Sequence, residues 1–173
     1  DVALNARIQD MRIAVKPNLS GDESAYDGKS LSKEELAALI EYYHNCKEAR
    51  RKEYLEMFLF AFHACGLRVV DVMTLQWSNI DFEKKELRKI MIKTGKRHII
   101  PLSDPAIEIL EAWKEKHFTS KFVFNLVKDD FDIDNDEALY KVRNSATRGI
   151  NQSLVVVGED LELKFPLTMH VAR

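Results

Sequence analysis

Residues 50–77 read RRKEYLEMFLFAFHACGLRVVDVMTLQW. Over residues 55–64 the stretch is apolar almost all round at helical spacing, which describes a helix enclosed by neighbours and so the centre of a core. Gly66 is placed to end it, because glycine accepts the left-handed conformation that closes a helix. A shorter helix then begins in LRVVDVMTLQW, which leaves Arg68 at a junction between two helices.

Upstream, LSKEELAALIEYYH (residues 31–44) predicts a helix with a Ser32–Glu35 capping box and an apolar face of Leu36, Leu39, Ile40 and Tyr43. Residues 1–15 have a short helical pattern, and KPNLSGDESAYDGKS (residues 16–30) is linker-like. Downstream, LRKIMIK and KRHIIPL are β-like runs separated by Thr94-Gly95, which suits a two-residue hairpin loop with Lys93 at its tip. Asp104 and Pro105 suit the N-cap and first position of a helix that turns Ile109, Leu110 and Trp113 inward. FVFNLV (residues 122–127) is a short apolar run. A further helix starts near Asp134, with Glu137 completing its box and Leu139, Val142, Ala146 and Ile150 as its buried stripe. LTMHVAR (residues 167–173) reads as the opening of a helix capped by Thr168. The expected fold is mainly α with a small β-hairpin or three-stranded sheet at an edge, an α+β arrangement.

The 173 residues, 46% hydrophobic and 31% charged, suffice for one soluble domain with a buried core and exclude disordered and collagen-like classes. No run approaches the roughly 18 apolar residues of a membrane span, and the N-terminus does not resemble a signal peptide. Cys46 and Cys65 lack metal-ligand spacing and read as free thiols of a reducing compartment. The chain starts at Asp1 and stops where a helix is expected to open, so a piece of a longer cytoplasmic protein is expected.

Net charge is −2, but it is unevenly spread. Residues 83–97 carry Lys84, Lys85, Arg88, Lys89, Lys93, Lys96 and Arg97 against two acids, whereas residues 129–137 carry six acids and no base. One face can attract a polyanion that another repels. Asp130, Asp132 and Asp134 alternate like the first ligands of a calcium loop, but Asn135 and Lys141 stand where glycine and a bidentate Glu are required. A solvated loop favouring the next helix start explains them better. The five histidines show no zinc spacing, and neither a phosphate-cradling glycine loop nor a GxSxG elbow is present. No metal or cofactor is expected. What remains is Arg68 beyond a helix-ending glycine, Lys93 on a hairpin, and His170 with Arg173 one turn apart. Singly, these are an Arg68–Asp71 surface pair, a solvated lysine and a chance spacing.

Together, and in this order, they resemble the tyrosine recombinase (phage integrase) family over about residues 31–173. FHACGLRVVDVMTLQWSNIDF is similar to its first catalytic box, IKTGKRHIIPLS to its lysine hairpin, and LTMHVAR to its His-x-x-Arg box. The resemblance implies that fold, incomplete at the C-terminus, preceded over residues 1–30 by the end of a core-binding domain and a linker. It implies a site-specific recombinase or integrase of a mobile element, acting on double-stranded DNA through a 3′-phosphotyrosine intermediate. Arg68 and Arg173 would clamp the scissile phosphate, Lys93 would protonate the departing 5′-oxygen, and His170 would donate a hydrogen bond or assist proton transfer. Asp71 would hold Arg68 in register. Lys96 is the rival to Lys93, which the Lys-Thr-Gly context favours. Lys84, Lys85, Arg88, Lys89, Lys96 and Arg97 would contact DNA, with a homo-tetramer assembling on it in the bacterial cytoplasm, at the nucleoid. The family's nucleophilic tyrosine follows its His-x-x-Arg box, whereas Tyr26, Tyr42, Tyr43, Tyr54 and Tyr140 all precede His170. The chain itself is therefore expected to bind DNA, as a monomer, without cutting it. A non-catalytic DNA-binding or regulatory module, a type IB topoisomerase-like enzyme and a helical protein-interaction domain are the competing readings.

Overall fold

The computed structural model describes residues 29–173; the helix expected over residues 1–15 and most of the linker after it lie outside them. Helix α1 (Lys33–Asn45) begins with the expected capping box. The Glu35 N–H donates to Ser32 Oγ at 3.1 Å and the Ser32 N–H donates to Glu35 Oε2 at 2.8 Å, pairing two groups that a helix start leaves open. Helix α2 (Ala49–His63) is the central element: Leu55, Met57, Phe58, Leu59, Phe60 and Ala61 are all buried, as its all-round apolar pattern requires. Each large side chain enclosed in this way stabilises the fold by about 1.5–3 kcal/mol.

The turn after α2 passes through Cys65 (φ 61°) and Gly66 (φ 79°). The Gly66 and Leu67 N–H groups both donate to the Ala61 carbonyl, so the helix end is satisfied within the turn. Helix α3 (Val69–Met73) and a 3-10 turn (Trp77–Asn79) lead into an antiparallel sheet of β1 (Ile80–Asp81), β2 (Glu86–Ile90) and β3 (Arg97–Pro101), in that spatial order. In the β2–β3 register Leu87 faces Ile100, both buried, and Lys89 faces His98. Helix α4 (Asp104–His117) sets Trp113 edge-on against Phe124 at 5.1 Å. The run at residues 122–127 docks by backbone pairing, with the Val123 N–H donating to the Leu75 carbonyl at 2.9 Å. The long α5 (Asp136–Asp160) and a 3-10 turn (Met169–Ala172) close the domain. This is the expected mainly α architecture with a small three-stranded sheet.

Several local expectations are corrected. Ser103, not Asp104, occupies the N-cap of α4, and Asp104 lies in the first turn, where a carboxylate complements the helix dipole. Asn135, not Asp134, caps α5, accepting from the Ala138 N–H at 3.0 Å. The β2–β3 connection is not a two-residue loop but spans residues 91–96, held by the Gly95 N–H on the Met91 carbonyl and the Met91 N–H on the Lys96 carbonyl. Just past β2 the Ile92 N–H, which the alternation of the strand turns away from β3, donates to the Asp71 carboxylate at 2.9 Å. Thr168 makes no side-chain cap; the Met169 N–H is taken by Asn151 of α5, and the segment is a 3-10 turn.

Inside α2, His63 is 8% exposed and burial pushes its pKa down to about 4. The folded state thus resists a proton that the unfolded chain accepts near about pH 6.5. Stability is held above that value and lost as pH falls toward 4. Urea unfolding is expected to show a loss of about 2 kcal/mol from this group between about pH 7 and about pH 5. In His63→Leu that part of the acid sensitivity disappears.

Candidate active site

Four segments far apart in sequence converge on one open cleft of about 570 Å³. Arg68 enters from the N-cap of α3, Lys93 from the 91–96 connection, and His170 and Arg173 from the closing 3-10 turn. All four line the cleft. Its fourth wall is a face of α5 bearing Asp136, Tyr140, Arg143, Thr147 and Asn151, and Val69, Val70, Ile92, Leu139 and Met169 give it an apolar floor. Val70 and Leu139 of this floor belong, with Met73, Phe122 and Val127, to a small core of their own.

Each position has a local cause. Arg68 has extended backbone angles (φ −72°, ψ 153°), and its carbonyl accepts from the N–H groups of Asp71 and Val72, which anchors the residue to the first turn of α3. The last turn reaches the first because Gly66 has no side chain: a Cβ there would lie 2.8 Å from Arg173 Cα. The two arginine-bearing segments therefore touch through backbone.

Asp71 is placed differently from expectation. It is 1% exposed, and its Oδ1 accepts the Ile92 N–H at 2.9 Å; among the described residues no ion pair joins it to Arg68. The Asp71 carboxylate is engaged by the Ile92 backbone instead of the Arg68 guanidinium. Asp71 instead fixes the backbone next to Lys93. The basic cluster is also redistributed. Lys89 shares the inward face of β2 with Leu87; it is 6% exposed, its Nζ donates to the Thr74 carbonyl at 3.4 Å, and burial lowers its pKa against the opposing pull of Asp71. It is removed from the surface set. Lys85 pairs with Asp104 at 2.9 Å and Arg88 with Glu86 at 2.7 Å, whereas Lys84, Lys96 and Arg97 are exposed and, among the described residues, form no ion pair.

Arg68, Lys93 and Arg173 likewise have no side-chain ion pair among the described residues, and Asp136 is the one acidic side chain lining the cleft. Guanidinium groups without counter-ions, beside an ammonium and an imidazole, make a site for an anion with several oxygens. Sequence reasoning missed the α5 wall. Its signal is present, since positions 136, 140, 143, 147 and 151 recur at helical spacing, next to the more conspicuous apolar stripe of the same helix.

By fold and site the protein is a mainly helical domain that presents a cleft lined by Arg68, Lys93, His170 and Arg173. The Phage integrase family model matches residues 29–173, and the chain belongs to that family, the tyrosine recombinases. It is 30% identical over 94 residues to a tyrosine recombinase of Thermosipho africanus, covering 54% of this chain and 32% of that protein. It is 23% identical over 128 residues to a probable integrase/recombinase of Acholeplasma phage L2, covering 73% of this chain and 44% of that protein. The chain thus spans less than half the length of either relative. The crystal structure of XerA recombinase has a similar fold, with a TM-score of 0.54 at 17% identity over 83% of this chain and 47% of that one. Among the described residues no helix is long and apolar enough to cross a membrane.

Proposed function

We propose that the chain supplies the phosphate-binding part of the catalytic domain of a site-specific DNA recombinase encoded by a mobile element. The observation that carries this reading is the convergence of Arg68, Lys93, His170 and Arg173 on one cleft. Charge builds on the non-bridging oxygens of a phosphodiester during displacement, and two guanidiniums that bind oxygens in pairs stabilise that charge. Arg68 and Arg173 take this role. Lys93, exposed on the 91–96 connection, protonates the leaving 5′-oxygen, and His170 donates to the phosphate or assists proton transfer. Asp71 fixes the Lys93 segment through Ile92. The attacking group is a tyrosine hydroxyl that becomes a 3′-phosphotyrosine. Residues 1–30 are the end of a core-binding domain and a linker, and the whole enzyme assembles as a tetramer on its attachment sites in the cytoplasm.

The chain itself has no tyrosine after His170 and binds DNA without becoming linked to it. The test compares it with the product of the full open reading frame that encodes it, each incubated with nicked duplex and run on a denaturing gel. A protein–DNA adduct from the full product alone supports the proposal. An adduct on the 173-residue chain overturns this division, and its loss in Tyr140→Phe would assign attack to the tyrosine on the cleft wall.

Lys96 and Arg97 extend the cationic surface beyond the cleft. Removing one cation that neutralises a phosphate flattens the dependence of log affinity on log salt by about 0.9. The double variant Lys96→Ala/Arg97→Ala is expected to flatten it by about 1–2, measured by fluorescence anisotropy on a short duplex. Lys89→Met, which alters an inward side chain, leaves the slope unchanged.

A further inference from the structure

We propose that Asn151 is a further phosphate-contacting residue, with its side-chain oxygen holding the His170 turn and its NH2 group donating to the bound phosphate. This rests on reading the cleft as a phosphodiester site. Asn151 lines that cleft together with Arg68, Lys93, His170 and Arg173. Its Oδ1 accepts the Met169 N–H at 3.0 Å, across two elements separated in the chain.

That one bond fixes the orientation of the amide. A backbone N–H can only donate, so the oxygen must face Met169 and the two N–H donors lie at the other end. Among the described residues Nδ2 has no hydrogen-bond partner, and the half-buried residue is a cleft wall, not a surface polar group. Arg143, Thr147 and Asn151 stand on successive turns of α5 along that wall, so a rigid helix carries the donor. The cleft already holds the charge that attracts an anion. A neutral donor on a fixed helix adds direction, and a hydrogen bond to an ionised acceptor is about twice as strong as one between neutral groups.

The same side chain links binding to positioning. Met169 immediately precedes His170, and its N–H is the first donor of the turn that carries His170 and Arg173. Phosphate bound to Nδ2 is thereby connected through one side chain to the backbone that positions both residues. Asn151 is a ligand contact and a positioning peg at once.

The test is nitrogen-15 NMR of the 173-residue chain titrated with inorganic phosphate, with the Asn151 side-chain NH2 signals assigned by their disappearance in Asn151→Asp. These signals are expected to shift together with the Nε–H signals of Arg68 and Arg173. Asn151→Asp keeps an acceptor for the Met169 N–H; it is expected to retain the melting midpoint but bind phosphate about tenfold more weakly. Asn151→Leu loses midpoint and affinity together. Thr147→Asp, one turn away on the same wall, measures the effect of an added charge alone and is expected to weaken binding less than Asn151→Asp. Equal weakening by the two Asp variants, or arginine signals that move while the Asn151 NH2 stays still, would reduce Asn151 to a peg and overturn the donor assignment. If the arginine signals do not move either, the phosphate reading of the cleft falls, and this proposal with it.

Discussion

Arg68→Ala is expected to slow adduct formation by the full open reading frame's product on nicked duplex by about 10²–10³-fold, the loss typical when one fixed donor to a developing oxyanion is removed. The fold should not suffer. Among the described residues Arg68 has no ion-pair partner to strand, and its part in α3 is made by its backbone carbonyl, which Ala retains. Urea unfolding of the variant is therefore expected to match that of the parent within about 0.5 kcal/mol. Arg68→Lys restores charge but not the paired N–H geometry, and should recover only part of the rate. A cleavage rate within threefold of the parent for Arg68→Ala would remove this residue from the reaction and leave the cleft without its proposed clamp.

Gly66→Ala should produce the largest loss of stability. The residue sits at φ 79°, where a side chain costs about 1–2 kcal/mol, and its Cβ would meet Arg173 Cα at 2.8 Å. Backbone cannot rotate aside as a side chain can, so relief requires moving the closing turn, at a further cost of about 1–3 kcal/mol. The sum, about 2–5 kcal/mol, is measurable by urea unfolding, and the surviving folded protein should bind DNA more weakly because Arg173 is displaced. Gly95→Ala is the control. Gly95 also has positive φ (62°), but nothing lies within 4 Å of an added Cβ, so only the backbone cost remains. Equal losses at the two sites would show that the approach of Arg173 does not matter.

How legible the site is in the sequence follows from which contacts are local. The Ser32–Glu35 box, the all-round apolar α2 and the helix end at Gly66 are readable because neighbours in sequence create them. The cap of α5 falls one residue from its expected place among several short polar candidates, since Asp134, Asn135 and Asp136 offer almost the same chemistry. The hairpin loop and the closing turn depart from expectation for another reason. In each, a distant side chain, Asp71 or Asn151, holds a backbone N–H that local pairing leaves open. Lys89 leaves the surface set because a run of basic residues hides the two-residue alternation of a strand, in which every second side chain turns inward.

The sequence by itself determined the fold class, the order of the elements and the identities of the four residues that line the cleft from its motifs. Periodicity, helix-end chemistry and motif order are properties of neighbouring residues, and they survive without coordinates. Only the tertiary structure decided what those residues touch: that Asp71 secures the Lys93 segment, that Gly66 admits the backbone of Arg173, that Lys89 is enclosed, and that a polar face of α5 completes the cleft. Such contacts join residues far apart along the chain. They depend on where packing of α2 against its neighbours places each backbone, and no local pattern records that.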